Sequence, residues 1–254
     1  MGGVKTICWM ILGWMSVSGL GAVENRYDVV AKMIQPFGRV FSNEAKGGGD
    51  RGMILGVKLE RLTGLPADLV GTRAELVLEY PDKVRMRAPV MGEELVVCRS
   101  GEKVWVWPGS RAKEILGKAG KLPVAEKGAK LGNFGLPVGE KQLGFLAMLF
   151  RIEDVGVEKL DGQGCRVMDL FLMPELAKGL KEKDWAARIW VKGDGLPGRL
   201  SLVRGEWQMV VRFERVEFSK GLPKGTWEPS EAEAGDILWL DAGGYGQLLG
   251  AFWK

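Results

Sequence analysis

The feature that most constrains this chain is a period of two. From Thr72 to Pro108 apolar side chains recur at alternate positions, broken only by short polar stretches. Ala74, Leu76, Leu78 and Tyr80 alternate with Arg73, Glu75, Val77 and Glu79; after Pro81-Asp82-Lys83, Val84, Met86 and Ala88 resume against Arg85 and Arg87. Successive strand side chains point to opposite faces, so this pattern makes half-buried strands, not helices. Glu94 to Arg99, then Ser100-Gly101-Glu102-Lys103, then Val104-Trp105-Val106-Trp107-Pro108 is a strand, turn, strand unit. Breaks this short suit antiparallel neighbours, because a parallel crossover needs a dozen or more residues.

The same period returns along the chain. Met53 to Leu62 sets Leu55, Val57 and Leu59 against Gly56, Lys58 and Glu60. Cys165 to Leu172 reads as a strand, and Ala187–Lys192 with Arg199–Arg204 as a hairpin over a Gly- and Pro-rich turn. Glu206 to Phe218 is a long strand whose phase shifts between Phe213 and Val216, the mark of a bulge. Helical spacing appears at Tyr27, Val30, Met33 (or Ile34) and Phe37, ending or bending at Pro36 and Gly38. Ser110 to Ala119 is a short capped helix. Leu143 to Phe150 is apolar on every side, a short helix that needs cover. Glu175 to Asp184 fits a short helix or a polar loop. The class is mostly β (α+β), with an N-terminal helix before the sheet.

The first residues set the compartment. Lys5 precedes an uncharged run from Thr6 to Val17, and Ser18 to Ala22 are small or apolar up to the first acid, Glu24. That is the form of a secretory signal peptide over residues 1–22, cleaved near Gly21 or Ala22. The alternative, an uncleaved anchor, wants a run of about 20 apolar residues. Cys8 lies inside the run rather than just after it, so the mature protein is expected to carry no lipid anchor and to be soluble in the periplasm. About 230 residues then remain, enough for one β-rich domain, 23–230, with an apolar tail, 231–254. The tail docks as a further strand or as cover for a sheet edge.

Composition narrows the chemistry. The chain contains no histidine, which removes the commonest general base and metal ligand. Two cysteines follow the signal, Cys98 and Cys165; they could bridge in an oxidising compartment or pack as buried thiols. Asp82, Asp154, Asp161, Asp184 and Asp194 are placed at turns, where acids ordinarily shape the backbone. No catalytic residue, metal site or cofactor site is assigned. The lysines are scattered and the aromatics fall in strand patterns, which leaves no nucleic-acid footprint.

Four pieces in this order resemble the periplasmic outer-membrane lipoprotein carriers of the LolA and LolB type. They are the strand ending Tyr80-Pro81-Asp82-Lys83-Val84-Arg85-Met86; Val96-Val97 with Ser100-Gly101-Glu102-Lys103-Val104-Trp105-Val106-Trp107-Pro108; the apolar Phe145–Phe150; and Ile189 to Leu200, continuing through Phe218 to Trp227-Glu228-Pro229. The resemblance spans Tyr27 to Pro229. It implies an unclosed antiparallel β-barrel, or strongly curved sheet, around a hydrophobic cavity lidded by short helices. It also implies acyl chains of lipoproteins or another lipid as cargo, with an inner-membrane donor and an outer-membrane acceptor as partners. Such carriers hold a basic, lid-latching residue before the strand proline; here that position is Tyr80.

A carrier needs burial rather than catalysis: each methylene taken from water contributes about 0.8 kcal/mol, so a chain of about 14 reaches on the order of 11 kcal/mol. The expected cavity wall is Leu76, Leu78, Met86, Val97, Trp105, Trp107, Trp190, Met209 and Val211. The expected lid is Leu143, Phe145, Leu146, Met148, Leu149 and Phe150. The competing expectation is an envelope lipid or lipoprotein sensor or scaffold, acting through a protein partner that the apolar tail could engage.

Overall fold

A computed structural model describes residues 25–41, 51–64, 69–90, 92–118, 131–132, 144–175 and 185–252. The signal segment 1–22 and the polar stretch 176–184 lie outside the described residues.

Helix α1 (Arg26–Phe41) opens the described chain. The Asn25 side chain accepts the Tyr27 backbone N–H at 3.2 Å, occupying one of the donors that a helix start leaves free. The helix runs through Pro36 and Gly38 to Phe41, so neither residue ends it. Five strands follow: β1 (Gly52–Thr63), β2 (Arg73–Glu79), β3 (Lys83–Val90), β4 (Glu93–Ser100) and β5 (Lys103–Trp107). Next come helix α2 (Gly109–Lys118) and a 3-10 turn (Gly144–Leu149). Then β6 (Phe150–Leu160), β7 (Gln163–Leu172), β8 (Trp185–Val191), β9 (Pro197–Arg204) and β10 (Trp207–Ser219) return across the molecule. A second 3-10 turn (Lys224–Trp227), β11 (Leu238–Leu240) and α3 (Ala242–Phe252) complete it.

The strands form one sheet in the order β11-β5-β4-β3-β2-β1-β10-β9-β8-β7-β6, antiparallel throughout. Two meanders, β1 to β5 and β6 to β10, are joined through the central β1–β10 pair. β6 and β11 remain as edges that do not pair with each other, so the sheet is not closed. The bulge read from the sequence is present: Gly56 faces Arg215 while Val57 faces Phe213, leaving Glu214 as the extra residue. A second register shift lies between Leu59 and Arg61. Both add twist where the two halves meet.

Helices cover the two ends of one face. The first half of α1 places Val29, Val30 and Met33 on Ile152, Met168, Leu170, Ile189 and Val191. Its second half places Phe37 and Val40 on Met53, Leu76, Leu78 and Phe218. At the far end Ala112 and Ile115 of α2 and Tyr245 and Leu248 of α3 pack on Leu95, Val97, Val104 and Val106.

Two expectations needed correction. Phe150 does not end a helix but begins β6, and Asp154 lies inside that strand rather than at a turn. The Arg151–Leu160 strand escapes a reading by alternation because it is an edge strand dense in charge. It also bulges at Val155, with Asp154 facing Met168 and Gly156 facing Val167. Asp154 serves the bulge, accepting the Gly156 N–H at 3.0 Å and pairing with Arg166 at 2.6 Å.

Candidate functional site

The strand register sorts every side chain to one of two faces. On the helix-bearing face Leu202 lies beside Met209 and Leu62, and Leu200 beside Val211 and Leu59. Phe213 lies beside Val57 and Ala74, and Leu55 beside Leu76, Met86 and Val97 in turn. Leu55, Val57, Leu59, Leu202, Met209, Val211 and Phe213 are all half-buried. They form an apolar band across the middle of the sheet, between the part under α1 and the part under α2 and α3.

Leu76, Leu78, Met86, Val97, Met209 and Val211 share this helix-bearing face, with Leu78 and Val97 in the covered parts and Met209 and Val211 in the band. Trp105, Trp107 and Trp190 are on the opposite face. Trp105 sits opposite Cys98 and Trp107 opposite Val96, and both pack with Val77 and Trp227. Trp190 sits opposite Val167, packs with Cys165, and donates its indole N–H to Glu158 at 2.8 Å.

The opposite face is covered at one end by the segment after β10. Glu233 is only 3 % exposed, and its carboxylate accepts from Arg85 at 2.6 and 2.9 Å, from Arg87 at 3.0 Å and from the Ser230 N–H at 2.7 Å. Burial works to raise the Glu233 pKa, but the Ser230 hydrogen bonds and the Arg85 guanidinium outweigh it and hold the carboxyl below its usual range. Trp105 donates its indole N–H to the Trp227 carbonyl at 3.0 Å, beneath the Arg85 guanidinium. This face also carries a groove of about 440 Å³ over β7 to β10. Two of its arginines face acids: Arg188 binds Asp169 bidentately at 2.6 and 2.8 Å, and Arg199 lies 2.7 Å from Glu60.

Of the expected lid, Leu143 lies outside the described residues, as do the side chains of Phe145 and Leu146. Met148 and Leu149 are exposed, while Phe150 packs on the α1 cluster beside buried Ala147. Tyr80 stands at the β2–β3 turn, its N–H bonded to the Arg51 carbonyl at 2.8 Å. Cys98 and Cys165 are both free and buried, in separate clusters. Burial pushes the Cys98 thiol up to about 12 and raises that of Cys165 as well. Among the described residues no group of three or more cysteines and acids is placed to hold a metal, and no helix is long and apolar enough to cross a membrane.

The expected wall omitted Leu55, Val57, Leu59 and Leu202. Leu202 meets Met209 across the local β9–β10 hairpin, whereas the place of Leu55, Val57 and Leu59 in the band depends on the β1–β10 pairing, which joins residues far apart in sequence.

No protein-family model matches the chain, and no curated protein matches it in sequence. Among solved structures it is similar to the lipoprotein LppX of Mycobacterium tuberculosis, at 14 % identity and a TM-score of 0.39, over 77 % of this chain and 97 % of that one. It is similar to MucB at 13 % identity and a TM-score of 0.41, over 80 % of this chain but only 63 % of MucB. Superpositions this loose concern the general run of the strands and carry nothing about ligand or partner. A LolA superfamily protein from Nitrosomonas europaea is also among the structures it is similar to, at 9 % identity and a TM-score of 0.26, over 78 % of this chain and 96 % of that one.

Proposed function

We propose that the chain is a periplasmic carrier whose domain, residues 23–230 with the tail 231–254 docked on it, holds acyl chains of lipoproteins or another lipid against the apolar band. The observation that carries this reading is the band itself: Leu55, Val57, Leu59, Leu202, Met209 and Val211, half-buried on one face across the central strands. A band of this kind suits a ligand held by burial, and the flexible, polarisable Met209 suits chains of varied shape. In this reading the wall is Met209 and Val211, extended by Leu55, Val57, Leu59 and Leu202, with Leu76 and Met86 at its margins, while Leu78 and Val97 pack under the helices. Trp105, Trp107 and Trp190 are left out of it, since they point from the other face. Met148 and Leu149, exposed on the 3-10 turn before β6, fit a lid in this reading. No step in this reading makes or breaks a covalent bond.

The reading is tested with a fluorescent fatty acid titrated into the mature protein. Saturable uptake, lost in Met209→Glu and Val211→Asp variants that still fold, is expected. Folded protein that takes up no probe would overturn it.

A further inference from the structure

The edge strand β11 carries Trp239, 58 % exposed, on the face opposite the apolar band. It pairs across from Trp105, and the two open onto a groove of about 360 Å³ with Trp227, Lys83, Lys103 and Lys224. The cations differ in their freedom. Lys83 is held by Glu79 at 2.6 Å and lies over the Trp227 ring. Lys103 and Lys224 are exposed and have no ion pair among the described residues. Among the described residues Glu228 is the one carboxylate in the lining, so the described rim is net positive.

We infer that this groove docks the protein on an anionic membrane surface, with the Trp239 ring in the headgroup layer and Lys103 and Lys224 against lipid phosphates. Tryptophan favours that layer because its ring is apolar and its N–H polar. Lysines beside it add attraction that a neutral bilayer does not supply. A small free anion would use the lysines but would leave the exposed ring of Trp239 without a role, which favours a lipid surface. The groove and the apolar band lie on opposite faces, so this inference and the carrier reading stand or fall separately.

The test is sedimentation of the mature protein with mixed phosphatidylglycerol–phosphatidylcholine vesicles and with phosphatidylcholine vesicles alone. Binding is expected only to the mixed vesicles and should weaken as salt screens the charges. Lys103→Gln with Lys224→Gln should weaken it about thirtyfold, from the contribution of each cation near a charged surface. Trp239→Ser should weaken it at every salt concentration. All three side chains are exposed, so unchanged melting temperatures are expected and separate lost docking from lost folding. Equal binding to both kinds of vesicle, or binding indifferent to these substitutions, would overturn the inference. So would saturable binding of glycerol 3-phosphate with no binding to vesicles, which would make the groove a site for free anions. Uptake of the fluorescent fatty acid by the same variants, without vesicles, reports on the carrier reading independently.

Discussion

Replacing Glu233 with glutamine should release the segment that covers the outer end of the sheet. In the native protein the carboxylate takes both oxygens to Arg85 and one to Arg87, while the Ser230 N–H closes the set. Glu233 is 3 % and Arg85 15 % exposed, so this pair is only weakly screened, whereas Arg87, 41 % exposed, adds less. At the effective dielectric suited to such sites, an ion pair near 4 Å attracts by about 4 kcal/mol. Glutamine recovers some of this, since it costs less to bury, but it turns an N–H₂ toward two guanidinium groups. A net loss of about 3 kcal/mol follows, at the lower end of what breaking a buried pair costs. For a domain of this size that corresponds to a melting temperature lower by about 6 to 12 °C. If the segment opens locally, amide exchange should instead quicken about 150-fold over Thr226 to Leu240 while β7 and β8 stay protected. The carboxyl is held below its unfolded pKa, so its stabilisation is complete above the ordinary carboxylate range and fades as pH falls through the lowered value. Glu233→Gln and the parent should therefore converge in acid. Equal melting temperature and equal exchange at neutral pH would refute the account of this latch.

The other expectations concern distinct places. Val211→Asp should keep the fold and weaken fatty-acid uptake about tenfold or more, because a charge in an apolar site must be desolvated by the ligand. Ile152→Ala, fully buried under α1, should cost about 2 to 4 kcal/mol of stability in denaturant titration and leave uptake intact. Neither Cys98 nor Cys165 should react with a thiol reagent in the native protein, and both should react once it is unfolded without reductant; a missing thiol at that point would indicate a disulfide. A methyl group on Gly109 would sit 2.7 Å from the Leu238 nitrogen and 2.8 Å from the Ile237 carbonyl carbon. Gly109→Ala should therefore push β11 from β5 at a cost of about 1 to 3 kcal/mol, read as faster exchange of the β11 amides.

Much of the sheet was legible because alternation is local: β2 to β5 and β8 to β10 follow directly from residues two apart. The bulge at Glu214 was legible for the same reason, since it breaks that period. β6 was not, because an edge strand shields itself with charge and its own bulge erases the alternation. The site was half legible. Period two says which residues of a strand share a face, but not which face joins that of the next strand. Alternation along Val104-Trp105-Val106-Trp107 puts the two tryptophans on one face and the two valines on the other, without saying which of these faces continues the one that carries Met209 and Val211. The chain builds two cores at this end, and the tryptophans belong to the one beneath the 220–237 segment. That segment is held in part by Glu233, one of four acids in the stretch, whose partners, Arg85 and Arg87, lie well over a hundred residues earlier.

The most direct test of the carrier account is to purify the mature protein from its native envelope and identify bound apolar material by mass spectrometry. The account predicts an acylated lipoprotein or a defined lipid in near-stoichiometric amount, lost from the Val211→Asp variant. Protein that emerges folded, free of lipid and unable to take up a fluorescent fatty acid would contradict it.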